Sequence, residues 1–123
     1  MKIRFICLSV LFWLGASGAA LAHHSFAMFD MTKSVTLQGT IKTFKWSNPH
    51  AWIEINVPKE GSADEMWSVE LTSPNNLMRV GWKRTSLKPG DKVTIIIHPL
   101  RTDAPGGSLA QVTLVDGTIL KQQ

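Results

Sequence analysis

The chain has 123 residues, 13 Lys and Arg against 9 Asp and Glu, and one cysteine. That is enough for one domain with a modest core, and it shows no repeat and no low-complexity segment. A lone Cys7 excludes an internal disulfide and any site built from several thiolates.

The first 22 residues read as a cleavable export signal. Lys2 and Arg4 form a positive start, Phe5 to Leu14 is a short apolar run, and Ala20-Leu21-Ala22 puts small residues where signal peptidase reads. The apolar run is shorter than the ~20 residues a spanning helix needs, and no later segment approaches that length, so no stable membrane span is expected after processing. Cys7 lies in the signal and lacks the small-residue context of a lipid-attached cysteine. Cleavage also removes Lys2 and Arg4, so eleven of the 13 basic residues remain against 9 acidic ones. A nearly neutral, exported domain is not a nucleic-acid binder. The expected location is the periplasm or the exterior, with 1–22 as signal, 23–33 as a mature arm and 34–123 as the folded domain.

Beyond the arm, the stretch Ser34 to Trp46 alternates, with Val35, Leu37 and Ile41 on one face, then changes phase to Phe44 and Trp46. The change after Gly39 predicts a long strand with a bulge or sharp bend. Ala51 to Val57 alternates again, with Ile53, Ile55 and Val57 inward, and Met66 to Leu71 sets Trp67, Val69 and Leu71 inward. The polar stretch between them, Lys59 to Asp64, makes the pair a hairpin.

Ser73 then suits a helix cap, Pro74 the first helical position, Leu77 and Val80 a shared face, and Gly81 the end. The turn Leu87 to Asp91 leads into a β-branched strand, Val93 to Ile97, and a last strand covers Leu109 to Val115. This order predicts an all-β protein with one short helix, a five-stranded, OB-fold-like, partly closed barrel. The alternative, an open sandwich, would call for more strands and no helix between them.

An OB-like barrel offers the outer face of its second and third strands to ligands. Here that face would carry Trp52, Glu54, Met66, Ser68 and Glu70, flanked by Trp46-Ser-Asn-Pro-His50 and by the segment from His98 to Gly107. Trp52, Glu70, Trp46 and Asn48 are the candidate ligand-binding residues, Trp52 for stacking on a planar group. No serine shows a His and Asp arrangement, and no Gly-rich phosphate motif is present.

The mature start HHSFAMFD, the W-S-N-P-H stretch, W-S-V-E-L-T-S-P-N-N-L with R-V-G-W, and L-K-P-G-D-K-V together resemble a family of small exported bacterial proteins classed as a domain of unknown function. The resemblance covers the whole mature chain. It implies a periplasmic domain with recurrent motif positions at His23, His24, Ser25, Phe26, Asn48, Pro49, His50 and Glu70, and it implies no activity.

Cleavage after Ala22 would make His23 the first residue. Its α-amine and Nδ1 then form a chelate, and a third nitrogen from His50 completes a T-shaped set suited to Cu(II), resembling a histidine brace. His24 and His98 are reserve ligands, and Met28 and Met31 offer soft thioethers for Cu(I), though beside Phe26 and Phe29 they read first as packing residues. The competing reading is plain: two terminal histidines as a solvated tail, and His50 as a strand-start residue stacked on Trp46 or Trp52. Three function classes stay open: a copper-binding protein, a metal-free module binding a small ligand or periplasmic partner through the Trp52 and Glu70 face, and a copper oxidase. Binding is expected rather than catalysis, since no substrate platform is visible beyond that face.

Overall fold

The computed structural model describes residues 26–123; the signal segment and the donors His23 and His24 lie outside the described residues. A 3-10 turn, Phe26–Met28, precedes strand β1 (Val35–Lys45), β2 (Trp52–Val57), β3 (Glu65–Glu70), helix α1 (Pro74–Arg79), β4 (Lys92–Pro99), β5 (Gly106–Leu114) and β6 (Ile119–Lys121). The sheet runs β3-β2-β1-β4-β5-β6, and a parallel pairing of β3 with β5 closes the first five strands into a barrel. The OB-like order expected from the sequence is therefore present, with β6 added at the edge.

Alternation decides which side chains enter the barrel. Leu37, Ile41, Ile53, Ile55, Val69, Leu71, Val93, Ile95 and Val112 are buried as expected, and each fully buried aliphatic residue contributes roughly 1.5–3 kcal/mol. Val35, Val57, Trp67 and Leu114 are only half-buried and pack on the margin of that core. Ala51, Leu87, Ile97 and Leu109 are further core residues. Ile97 and Leu109 face each other because β4 and β5 carry a bulge between Ile96 and Ile97.

The phase change in β1 has a physical origin. Its pairing with β2 shifts between Ile41 and Thr43, so Ile41 and Phe44 both turn toward the core despite their odd spacing. Gly39 lies just before this shift, where a Cβ would stand 2.3 Å from the Asn56 carbonyl oxygen. Only a residue without Cβ lets β1 cross so close to β2 as it leaves β4.

Helix α1 begins as its sequence suggests: Ser73 is the N-cap, its hydroxyl accepting from the Asn76 amide at 3.4 Å, and Pro74 occupies the first turn. Leu77 is buried, but Val80 is the C-cap and is 46% exposed, so the two do not share a buried face. After the helix, Trp82 is 1% exposed, and its Nε1 donates to the Lys121 carbonyl at 2.8 Å. That bond ties β6 to the segment that follows α1. Among the described residues no helix is long and apolar enough to cross a membrane.

Candidate functional site

Strand pairing brings four chemically active residues into one transverse row. Trp52 is opposite Glu70, Glu70 is opposite Ser108, and Ser108 is opposite His98. Paired residues point to the same face of a sheet, so this row lies on the outside of the barrel, opposite to the inward Val69 and Ile97. Although outward, Glu70 and Ser108 are buried, because other parts of the chain cover them.

The cover comes from both ends of the described chain. In the arm, Asp30 donates its amide to Pro99 at 2.8 Å, the Arg101 amide donates to Met28 at 2.9 Å, and Arg101 Nε donates to the Ala27 carbonyl at 3.0 Å. Phe29, bridged to Leu100, is 3% exposed. From the other end, Gln122 accepts from the Thr72 amide at 2.8 Å through Oε1 and donates through Nε2 to Leu109. Between these covers lies a cavity of about 380 Å³, its walls including Phe26, Phe29, His50, Glu70, Arg79 and Gln122.

His50 enters this cavity from the loop before β2. Its successor Ala51 is fully buried and exchanges backbone hydrogen bonds with Leu71 and Thr72, which anchors the loop end. The Leu71 carbonyl lies 2.8 Å from His50 Nδ1. A carbonyl only accepts, so Nδ1 carries the proton and Nε2 is the basic nitrogen of the neutral ring. Glu70 Oε1 stands 3.3 Å from the same Nδ1, with side-chain exposures of 34% for His50 and 12% for Glu70. Two residues assigned to separate sites by sequence, His50 to metal and Glu70 to ligand, thus form one pair.

The other candidates do not join that pair. Trp52 is half-buried and does not line the cavity. Trp46 packs against the core and meets Phe44 edge-on at 5.7 Å, and Asn48 is exposed in the loop, joined to Pro49 by a cis peptide. His98 donates from Nδ1 to the Lys33 carbonyl at 2.8 Å and lies two strands from Glu70, roughly 10 Å away at the usual strand spacing. His50 stacks on neither tryptophan in any ring pair among the described residues.

Glu54, on the same outer face, is already engaged. The Thr43 hydroxyl donates to it at 2.9 Å and Lys45 approaches at 3.3 Å, which together hold its carboxyl below the ordinary glutamate range. Met28, Met31, Met66 and Met78 are all largely exposed, so neither arm methionine is a packing residue. The cavity residues Ser108, Asn76, Arg79 and Gln122 carry no sequence signal of their own; only Ser73-Pro74, by placing α1, hints that its last turn would flank the site.

Trp52→Ala is expected to cost about 1 kcal/mol, a small drop in melting temperature, because the ring is only half-buried. The cavity should persist, visible as unchanged amide shifts for His50 and Glu70. A loss of several kcal/mol would instead place Trp52 in the core.

These features define a small closed β-barrel with a half-covered cavity on its outer face, its walls largely apolar around a His and Glu pair. The chain belongs to DUF6152, a family of unknown function, whose model matches residues 12–109. No curated protein and no solved structure matches it.

Proposed function

We propose that this is an exported, periplasmic copper-binding protein that holds Cu(II) between the mature amino terminus, His23, and the imidazole of His50. One observation carries the reading: Phe26, three residues after His23, lines the same cavity as His50. Three extended residues reach about 10 Å, and the arm is tied down from Ala27 to Asp30, so a chain running back from Phe26 is long enough to bring His23 to the His50 ring. In the neutral ring the bond from Nδ1 to Leu71 makes Nε2 the nitrogen open to a metal, the arrangement usual for a metal-binding histidine.

The donor set fits the metal. An amine and two imidazoles supply three nitrogens of the kind Cu(II) takes in tetragonal geometry. Among the described residues no three His, Cys, Asp or Glu side chains form a metal cluster, so this site depends on His23. His98 is less suited as third ligand because it does not line the cavity and lies two strands from Glu70.

The test is copper titration of the processed protein with electron paramagnetic resonance. Adding one residue before His23 removes the terminal chelate but keeps every imidazole, and His50→Ala removes the third nitrogen. Each change is expected to weaken Cu(II) binding at least tenfold and alter the spectrum, and binding should weaken as pH falls, since these nitrogens bind metal only when unprotonated. Equal affinity and an identical spectrum in the extended variant would defeat the proposal and favour a metal-free ligand in the cavity.

A further inference from the structure

A second cavity, of about 360 Å³, shares no lining residue with the one around His50. It lies where the loop 100–105, between β4 and β5, meets the arm and the first half of β3. One wall is Trp67, which has the inward parity of Val69 yet is only half-buried, packed on the margin of the core. The indole is held in place. Its Nε1 donates to Glu65 Oε2 at 3.0 Å, and Glu65 Oε1 in turn stands 3.5 Å from Lys59 Nζ. With its single donor engaged, the ring offers the cavity an apolar surface of fixed orientation.

The remaining walls are largely polar. Asp30 and Asp103 oppose Lys33 and Arg101, so the cavity has no net charge with which to select an anion or a cation. Asp30 is already engaged, by the Thr32 hydroxyl and amide at 2.6 and 3.1 Å and by Lys33 at 3.3 Å. Arg101 is anchored from one side, its Nε donating to the Ala27 carbonyl at 3.0 Å, and its terminal nitrogens make no hydrogen bond or ion pair among the described residues. The exposed side chains of Thr102 and Asp103 are likewise unpartnered among the described residues.

We propose that this cavity binds one neutral sugar ring, an inference that does not rest on the copper reading. A pyranose has an apolar C–H face and a rim of hydroxyls that both donate and accept. The face suits Trp67, and neighbouring hydroxyls can accept from the planar guanidinium of Arg101 and donate to Asp103. The volume stands at the lower end of the roughly 300–1,000 Å³ of ligand sites, which fits a single ring. A zwitterionic amino acid could also meet both charges, but its ions lose far more hydration on entry than hydroxyls do.

The experiment titrates the protein with glucose, galactose and N-acetylglucosamine and follows its N–H resonances by nuclear magnetic resonance. For at least one sugar the Trp67 indole N–H, the Arg101 Nε–H and the amides of Thr102 to Ala104 should shift together. They should saturate with a dissociation constant on the order of 1 mM, as expected of so small a ligand, while the Trp82 indole stays fixed. Trp67→Leu, which keeps an apolar wall without a flat ring, should weaken binding roughly tenfold. Asp103→Asn, at an exposed loop position, should weaken it roughly fivefold by turning a charge-assisted hydrogen bond into a neutral one. The methyl glycoside of the bound sugar separates two sources that both uphold the proposal: equal binding marks a linked glycan unit, and loss of binding marks a free sugar.

No saturable shift up to about 100 mM of any of these sugars, a hundred times the expected constant, overturns the inference. So does glycine or leucine moving these resonances where the sugars do not. Unchanged sugar affinity in Asp103→Asn overturns it as well, even if Trp67→Leu fails to fold.

Discussion

Trp82→Ala is expected to remove about 3–5 kcal/mol of stability, the usual result of emptying a buried aromatic site. For a domain of this size that is near half of the ~5–15 kcal/mol available, so the variant should melt well below the parent and show a lower denaturant midpoint. The ring is 1% exposed and sits 5.9 Å from Phe44, and its loss also leaves the Lys121 carbonyl without the Nε1 donor that holds it at 2.8 Å. The damage should spread along the chain. Lys121 precedes Gln122, which spans Thr72 and Leu109 and forms one wall of the cavity. Hydrogen exchange of the Thr72 amide should therefore accelerate more than that of amides in β1. A Trp82 variant that loses stability without faster exchange at Thr72 would show that the terminal segment holds its place independently.

Gly107→Ala is expected to cost about 3 kcal/mol, at the upper end of what overpacking does. A Cβ there would stand 2.4 Å from the His98 carbonyl oxygen and 2.7 Å from Ile97 Cδ1. The backbone oxygen belongs to β4 and cannot swing away as a flexible side chain would, so β5 must move. Gly107 pairs with Val69, and the next residue, Ser108, pairs with Glu70, which makes this glycine the seam at which the barrel closes. Displacing it shifts Glu70 relative to His50, so large amide shifts in β3 should accompany the lost stability. Near-native stability with unchanged shifts across Ser68 to Glu70 would mean that the seam absorbs a methyl group, contrary to the spacing.

The strands and helix start were legible because their signals are local. Alternation with period two sorts Ile53, Ile55 and Val69 inward from their own neighbours, and Ser73-Pro74 states a helix start within two residues. Strand ends were less legible. The fourth strand reaches Pro99 and the fifth begins at Gly106, extending into what reads as loop, because Gly106 and Gly107 allow an approach that other residues forbid. The three residues of β6 carry too short a pattern to register, and they are held by pairing with β5 and by Trp82. The bend in β1 was visible as a phase change near Gly39, while its bulge falls a few residues later, between Ile41 and Thr43.

For the site, sequence by itself determined the candidate donors, the outward parity of Trp52 and Glu70, and the presence of His50 at the mouth of β2, since each follows from residue type and strand period. Parity says which face a side chain leaves from, and nothing about what lies over that face. Only the tertiary structure decided that Glu70 is covered and Trp52 is outside the cavity, because the cover is made by Phe26 and Phe29 from one end of the chain and Gln122 from the other. It alone brought Glu70 to 3.3 Å from His50 and set the ring's proton on Nδ1 through the Leu71 carbonyl. Those contacts join residues about twenty positions apart across the β2 and β3 hairpin, while the cover over Glu70 comes from outside that hairpin, and no local pattern in either strand encodes it.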